Sequence, residues 1–170
     1  MILRPARPED AAGIGAIWNP IVEGTVITFW PTPRSEAEIA EVIRQRAAEG
    51  HPFLVAEDAG AILGFATYSQ FRGGAGYARS MEHTIHAAPA ARGRGLGRRM
   101  LTAIEDHARA VGHRLMIGAI TGSNTASVAF HAACGYGEWG RIPAAGWKFG
   151  AFHDLVLMGK DLAPGPVAPA

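Results

Sequence analysis

The sequence predicts a mixed α/β or α+β domain built around one sheet. Three observations carry that reading. Short runs with period-two alternation interleave with longer runs at helical spacing. One of the strands leads through a glycine-rich turn directly into a helix. Apolar residues make up 48% of 170 residues and charged residues 18%, which suits one core in a single domain.

The elements follow in order. Ile2 to Arg4 reads as a first strand, and Glu9 to Trp18 as a helix with Ile14, Ile17 and Trp18 on one face. Ser35 followed by Glu38 is a capping-box signature. Ile39, Val42 and Ile43 continue that second helix until Gly50. Phe53 to Glu57 and Ile62 to Ser69 read as strands joined by a turn at Asp58–Gly60. Ser80 to Ala87 is a strand in which Met81, His83 and Ile85 face away from Glu82, Thr84 and His86. After Pro89 comes the turn Arg92-Gly93-Arg94-Gly95-Leu96-Gly97. It opens a helix striped by Leu96, Met100, Leu101, Ile104, Ala108 and Val111. Leu115 to Ile120 is a buried strand. Asn124 caps a helix to about Ala133, Gly135 stops it, and Tyr136–Ile142 and Phe152–Lys160 are the last strands. The domain spans residues 1–162, and the Pro/Ala-rich residues 163–170 read as a disordered tail.

Charge and cysteine content narrow the class. Sixteen Lys and Arg against fifteen Asp and Glu leave a net charge of +1, too even for a polyelectrolyte partner such as nucleic acid. Arg4, Arg7, Glu9 and Asp10 interrupt any signal-peptide core, and no run is long enough for a membrane span. The single cysteine, Cys134, fits a reducing, cytoplasmic setting. His83 and His86 lie on opposite strand faces and cannot chelate one metal, so no metal is expected.

The glycine turn carries the clearest chemistry. Exposed backbone N–H groups and the positive end of a helix dipole converge where such a turn meets a helix. Gly93, Gly95 and Gly97 let backbone approach an anion, while Arg92, Arg94, Arg98 and Arg99 add positive charge. No Gly-Lys-Ser/Thr triplet makes it a Walker loop, and Arg98 stands where a dinucleotide fingerprint needs its third glycine. On its own the turn reads equally as a solvated basic loop.

Downstream, Asn124, Ser127, Phe130, His131, Gly135 and Tyr136 complete a second pattern. With Arg92, Gly95 and Gly97, this pattern resembles the GNAT superfamily of acyl-CoA-dependent N-acetyltransferases, and the element order agrees over residues 1 to about 162. Three further segments resemble the phosphinothricin and methionine sulfoximine N-acetyltransferase branch. They are Trp18-Asn19-Pro20-Ile21-Val22, Met81-Glu82-His83-Thr84-Ile85, and Ala145-Gly146-Trp147-Lys148-Phe149-Gly150 with His153-Asp154. The resemblance implies a mostly antiparallel sheet flanked by helices, acetyl-CoA as donor, a small amino acid as acceptor, and a homodimer.

It also assigns residues. Acetyl transfer needs a neutral amine, and an amino-acid ammonium titrates at about 8 or above, so a base helps. Glu82 is the expected base, although a strand glutamate also suits a solvated face. His131 replaces the tyrosine that protonates the leaving thiolate in many of these enzymes. Its role stays open between general acid, second base, positioner and buried core histidine. Ile85, His86 and Ala87, with the turn from Arg92 to Arg98, are expected to hold the CoA. Backbone N–H groups near Thr84 to His86 would meet the oxyanion. Asn124 and Ser127 would face the pantetheine arm, Asn124 also as a helix cap. Phe29, Trp30, Arg72, Gly73, Gly74, Arg79, Glu82, His83 and Thr84 are expected around the acceptor, with Arg72 or Arg79 on its carboxylate. A peptide N-terminal acetyltransferase and a non-catalytic CoA-binding protein are the alternatives.

Overall fold

A computed structural model describes residues 1–91 and 93–162; Arg92 and the tail at 163–170 lie outside the described residues. The strands are β1 (Ile2–Pro5), β2 (Phe53–Asp58), β3 (Ala61–Gln70), β4 (Ser80–Ala87), β5 (Leu115–Thr121), β6 (Gly137–Lys148) and β7 (Ala151–Asp161). The helices are α1 (Ala11–Gly24), α2 (Glu36–Ala48), α3 (Leu96–Ala110) and α4 (Thr125–Ala133). The order is the one the sequence predicts. All seven strands join one sheet, β1-β2-β3-β4-β5-β7-β6. Every neighbouring pair is antiparallel except β4 and β5.

Period-two alternation sorts the side chains to two cores. Phe53, Val55 and Phe65 pack with Ile14, Ile17, Ile39 and Ile43 of α1 and α2. Ala56, Ala66, Tyr68, Met81 and Met116 pack on the other face with Leu96, Met100, Leu101 and Ile104 of α3. The capping box of α2 forms as expected: Glu38 N–H donates to Ser35 Oγ at 3.2 Å, and Ser35 N–H to Glu38 Oε2 at 2.7 Å. Among the described residues no helix is long and apolar enough to cross a membrane.

Three boundaries differ from the sequence expectation. α1 continues past Trp18 to Gly24 with Pro20 inside it, because burial of Ile21 and Val22 outweighs the one intrahelical bond that proline removes. The stripe on α3 ends at Ala108, and Val111 lies beyond the helix, 53% exposed. β6 does not stop at Ile142. Its register slips between Ile142 and Gly146 and pairing then resumes to Lys148, with Ala144 N–H donating to Asp154 Oδ1 at 3.0 Å across the bulge.

The feature that positions the site is a split in the sheet. β4 and β5 pair over three positions, Ser80–Leu115, Met81–Met116 and Glu82–Ile117. β4 stays on β3 through Ala87, and β5 stays on β7 through Thr121. Beyond Glu82 and Ile117 the two strands therefore diverge, and among the described residues no strand continues the ladder on that edge of β4.

Candidate active site

A cavity of about 1030 Å³ occupies the split and reaches both faces of the sheet. On one face it is walled by Trp18 and Ile21 of α1 and by Ile27, Thr28 and Phe29 of the following loop. On the other face Phe130 and His131 of α4 close it. β4 contributes Glu82 to Ala87, β5 contributes Gly118 to Thr121, the turn before α3 contributes Gly93 and Gly95, and the first turn of α3 contributes Leu96, Gly97 and Arg98.

That turn is built for an anion. Gly93 and Gly95 have φ of +72° and +73°, and a Cβ at either would meet only open space. Backbone conformation rather than crowding selects glycine at both. Gly95 caps α3 without a side-chain bond, and the first turn of α3 holds no acidic residue. Its leading N–H groups thus face the cavity end without an internal partner. Gly97 is closely packed instead: a Cβ there would stand 3.2 Å from the Phe130 ring, which would have to shift slightly. Arg98 lines the cavity, but its guanidinium donates to the Ala133 carbonyl at 2.7 Å and so caps α4. Arg94 is exposed and outside the lining, and Arg92 lies outside the described residues. Asn124 accepts from Ser127 N–H at 3.2 Å as the cap of α4, and both residues also line the cavity.

Beside the split lies a stacked imidazole pair. The His83 and His131 ring centroids are 5.1 Å apart and nearly parallel, at 14°. His131 Nδ1 sits 2.7 Å from the Ser127 carbonyl. A carbonyl only accepts, so the proton is on Nδ1 and Nε2 presents a lone pair. Nε2 is buried with no protein partner, as are both ring nitrogens of His83. Burial holds the His131 pKa below its usual value and pulls that of His83 down to about 3, so both rings are neutral at pH 7. Tyr136 meets both rings edge-on at 5.7 and 5.3 Å. Its hydroxyl donates at 3.0 Å to Glu105, a buried carboxylate that also takes Lys160 at 2.7 Å and Arg109 at 3.2 Å. Sequence reading overlooked Gly118. A Cβ there would come within 2.9 Å of His83 Nε2 and 3.3 Å of His131 Nε2. A glycine in mid-strand is the signal that would have found it.

Glu82 reaches the same cavity from the opposite side of β4, and burial raises its carboxyl pKa. Thr84 and His86 share its face, and His86 packs near Trp18 and Phe65. The expected acceptor residues divide. Phe29, Glu82, His83 and Thr84 converge on the cavity. Trp30 is 49% exposed and carries the Arg34 guanidinium 4.5 Å over its ring. Arg72 stacks on Tyr77, and Gly73 and Gly74 lie beside it in an exposed turn outside the lining. Arg79 is exposed at the paired end of β4, near enough to His113 to bear on its titration. Among the described residues no group of three or more His, Cys, Asp or Glu is placed to hold a metal ion.

Comparison with known proteins gives a consistent family. The acetyltransferase (GNAT) family pattern matches residues 22–136. An L-methionine sulfoximine/L-methionine sulfone acetyltransferase of Pseudomonas paraeruginosa is 38% identical over 168 residues, 98% of each chain. A phosphinothricin N-acetyltransferase of Alcaligenes faecalis is 33% identical, over 96% of this chain and 83% of that one. The crystal structure of a phosphinothricin acetyltransferase from Sinorhizobium meliloti in complex with acetyl-CoA superimposes with a TM-score of 0.92. It is 35% identical and covers 99% of this chain and 92% of that one.

Proposed function

The chain belongs to the GNAT acetyltransferase family and is an acetyl-CoA-dependent acetyltransferase, and from that premise we propose that its acceptor is the α-amino group of a small L-amino acid. The acceptors that fit are of the methionine sulfone, methionine sulfoximine and phosphinothricin type, those named for its relatives. The observation that carries this reading is the cavity through the split sheet. One end meets the open N-terminus of α3, and the other is closed by Phe29 and Glu82.

The residues divide the work as follows. The turn from Gly93 to Arg98, with Arg92, takes the CoA pyrophosphate. The Ile85 N–H, which alternates away from the β3 ladder, is offered to the thioester oxygen, and Asn124 and Ser127 face the pantetheine arm. The acceptor arrives as an ammonium and sheds two protons, one before its lone pair attacks the thioester carbon and one as the C–S bond breaks. Glu82, acting as a carboxylate whose pKa burial raises, takes the first directly or through water. His131 enters neutral, with a lone pair on Nε2, so it accepts the second proton from the attacking nitrogen and hands it to the departing sulfur. Arg72, next in the chain to the cavity-lining Phe71, takes the α-carboxylate by swinging off Tyr77. Arg98, the only cation among the described lining residues, is already bonded to a carbonyl, which favours the neutral sulfone and sulfoximine heads over the anionic phosphinothricin. A cytoplasmic setting suits the single free thiol of Cys134.

Steady-state kinetics with acetyl-CoA test the proposal on L-methionine sulfone, L-methionine sulfoximine, phosphinothricin and a peptide with a free N-terminus. The first two are expected to show the highest kcat/KM. A higher value for the peptide would make the chain a peptide acetyltransferase instead.

A further inference from the structure

Residues 25–35, between α1 and α2, belong to no helix or strand, yet Ile27, Thr28 and Phe29 wall the cavity. An irregular segment lining a site needs anchors. Thr121 Oγ1 donates to the Val26 carbonyl. Phe29 lies over Gly146, where any Cβ would collide with its ring, and stacks on His153 at 6.0 Å. The third anchor is Lys148, near the end of β6 and only 6% exposed. Its Nζ donates to the Val22 carbonyl at 2.6 Å and to the Thr28 carbonyl at 2.8 Å.

This ammonium is an unusual choice for a purely structural site. No carboxylate is within ion-pair distance of it among the described residues. Its charge is met by dipoles, one of them in the last turn of α1, where the helix is negative. The Phe149 ring lies 5.1 Å from Nζ. Phe149 has φ of +52°, a conformation glycine or asparagine would suit better. A buried cation without a counter-ion is a poor source of stability, and an apolar side chain of equal length would fill the space more cheaply. What the ammonium does, and an apolar chain cannot, is hold two carbonyls from two segments at one point.

We propose that Lys148 is a positioning residue for the acceptor. By tying Thr28 to the end of α1 it holds residues 25–29 as a fixed wall and sets the shape of the acceptor end of the cavity. The inference rests on the proposed acceptor only in taking that end as its seat.

Lys148→Met tests it, with Lys148→Gln, which keeps one N–H-bearing group, carrying the same readouts where the methionine variant does not fold. Two measurements are made against wild type. The KM for whichever amine of the panel the wild type accepts is expected to rise about tenfold or more, while the KM for acetyl-CoA stays within about twofold. Amide hydrogen exchange is expected to quicken in residues 25–30 and to hold constant in α3. Unchanged exchange in residues 25–30 overturns the proposal. So does faster exchange with an acceptor KM within about twofold of wild type, or a parallel rise in both KM values. Should the wild type acetylate no amino acid, the acceptor reading falls, while exchange still decides whether Lys148 holds the loop.

Discussion

Glu82 and His131 enter one cavity from opposite sides of β4, and their surroundings give them different protonation behaviour. Glu82 is active ionised, and its pKa is raised by burial. The kcat/KM is therefore expected to climb with pH through a limb lying above the ordinary carboxyl range. Glu82→Gln should remove that limb and lower kcat by about 10²–10⁴-fold; a kcat within about twofold of wild type across pH 6–9 would dismiss it as the base. His83 carries a different consequence. Its pKa of about 3 in the fold means the unfolded chain binds more protons between pH 3 and about 6.5. Its contribution is thus complete above pH 6.5 and falls as the solution is acidified, by at most about 1.4 kcal/mol per pH unit. Urea midpoints should drop from pH 7.5 to 5, and His83→Phe should flatten that slope; an equal slope in both proteins would contradict the assignment. The sequence already pointed to both residues, but not to their partnership. His83 and His131 are far apart in the chain, and only the Gly118 gap and the Tyr136–Glu105 bond bring their rings together.

Among the elements, the turn into α3 is where local sequence alone dictates structure. Glycine in the left-handed region, a helix start with no side-chain cap and the absence of first-turn acids are all visible in consecutive residues. Gly95→Asp tests its use. Aspartate tolerates positive φ better than most residues, so the fold should survive, but its charge would face the pyrophosphate. Calorimetry should show acetyl-CoA binding weakened by about tenfold or more, which is about 1.4 kcal/mol; unchanged affinity in a folded variant would move the phosphate site elsewhere. Where the sequence misleads, long-range partners are responsible. Pro20 looks like a helix end, but Ile21 and Val22 are buried and Lys148 takes the Val22 carbonyl from the far end of the chain. Pro143 looks like a strand end, but Asp154 bridges the bulge and pairing resumes. Neither partner lies within the window in which periodicity is read.

At the scale of the whole molecule, the β6–β7 hairpin leaves an apolar face uncovered. Trp147 and Phe152 pack edge-to-face at 4.7 Å yet are 58% and 67% exposed. Monomers seldom leave such a patch in water, which accords with the homodimer expected from the sequence resemblance. Sedimentation at micromolar concentration should show a species near twice 17.9 kDa, and Phe152→Glu should shift it toward the monomer; a wild-type monomer would refute the pairing. The split sheet bears on how the chain assembles. β2–β3 and β6–β7 are closed by two-residue turns, contacts that form on the order of microseconds. The seam between β4 and β5 instead joins strands with all of α3 between them, and three residue pairs hold it. That distance does not set the seam apart, because β1–β2 and β5–β7 pair across comparable or longer stretches of chain, so only the two hairpins are cheap in loop entropy. What sets it apart is its brevity, and the crevice is the stretch of that short joint that never zips.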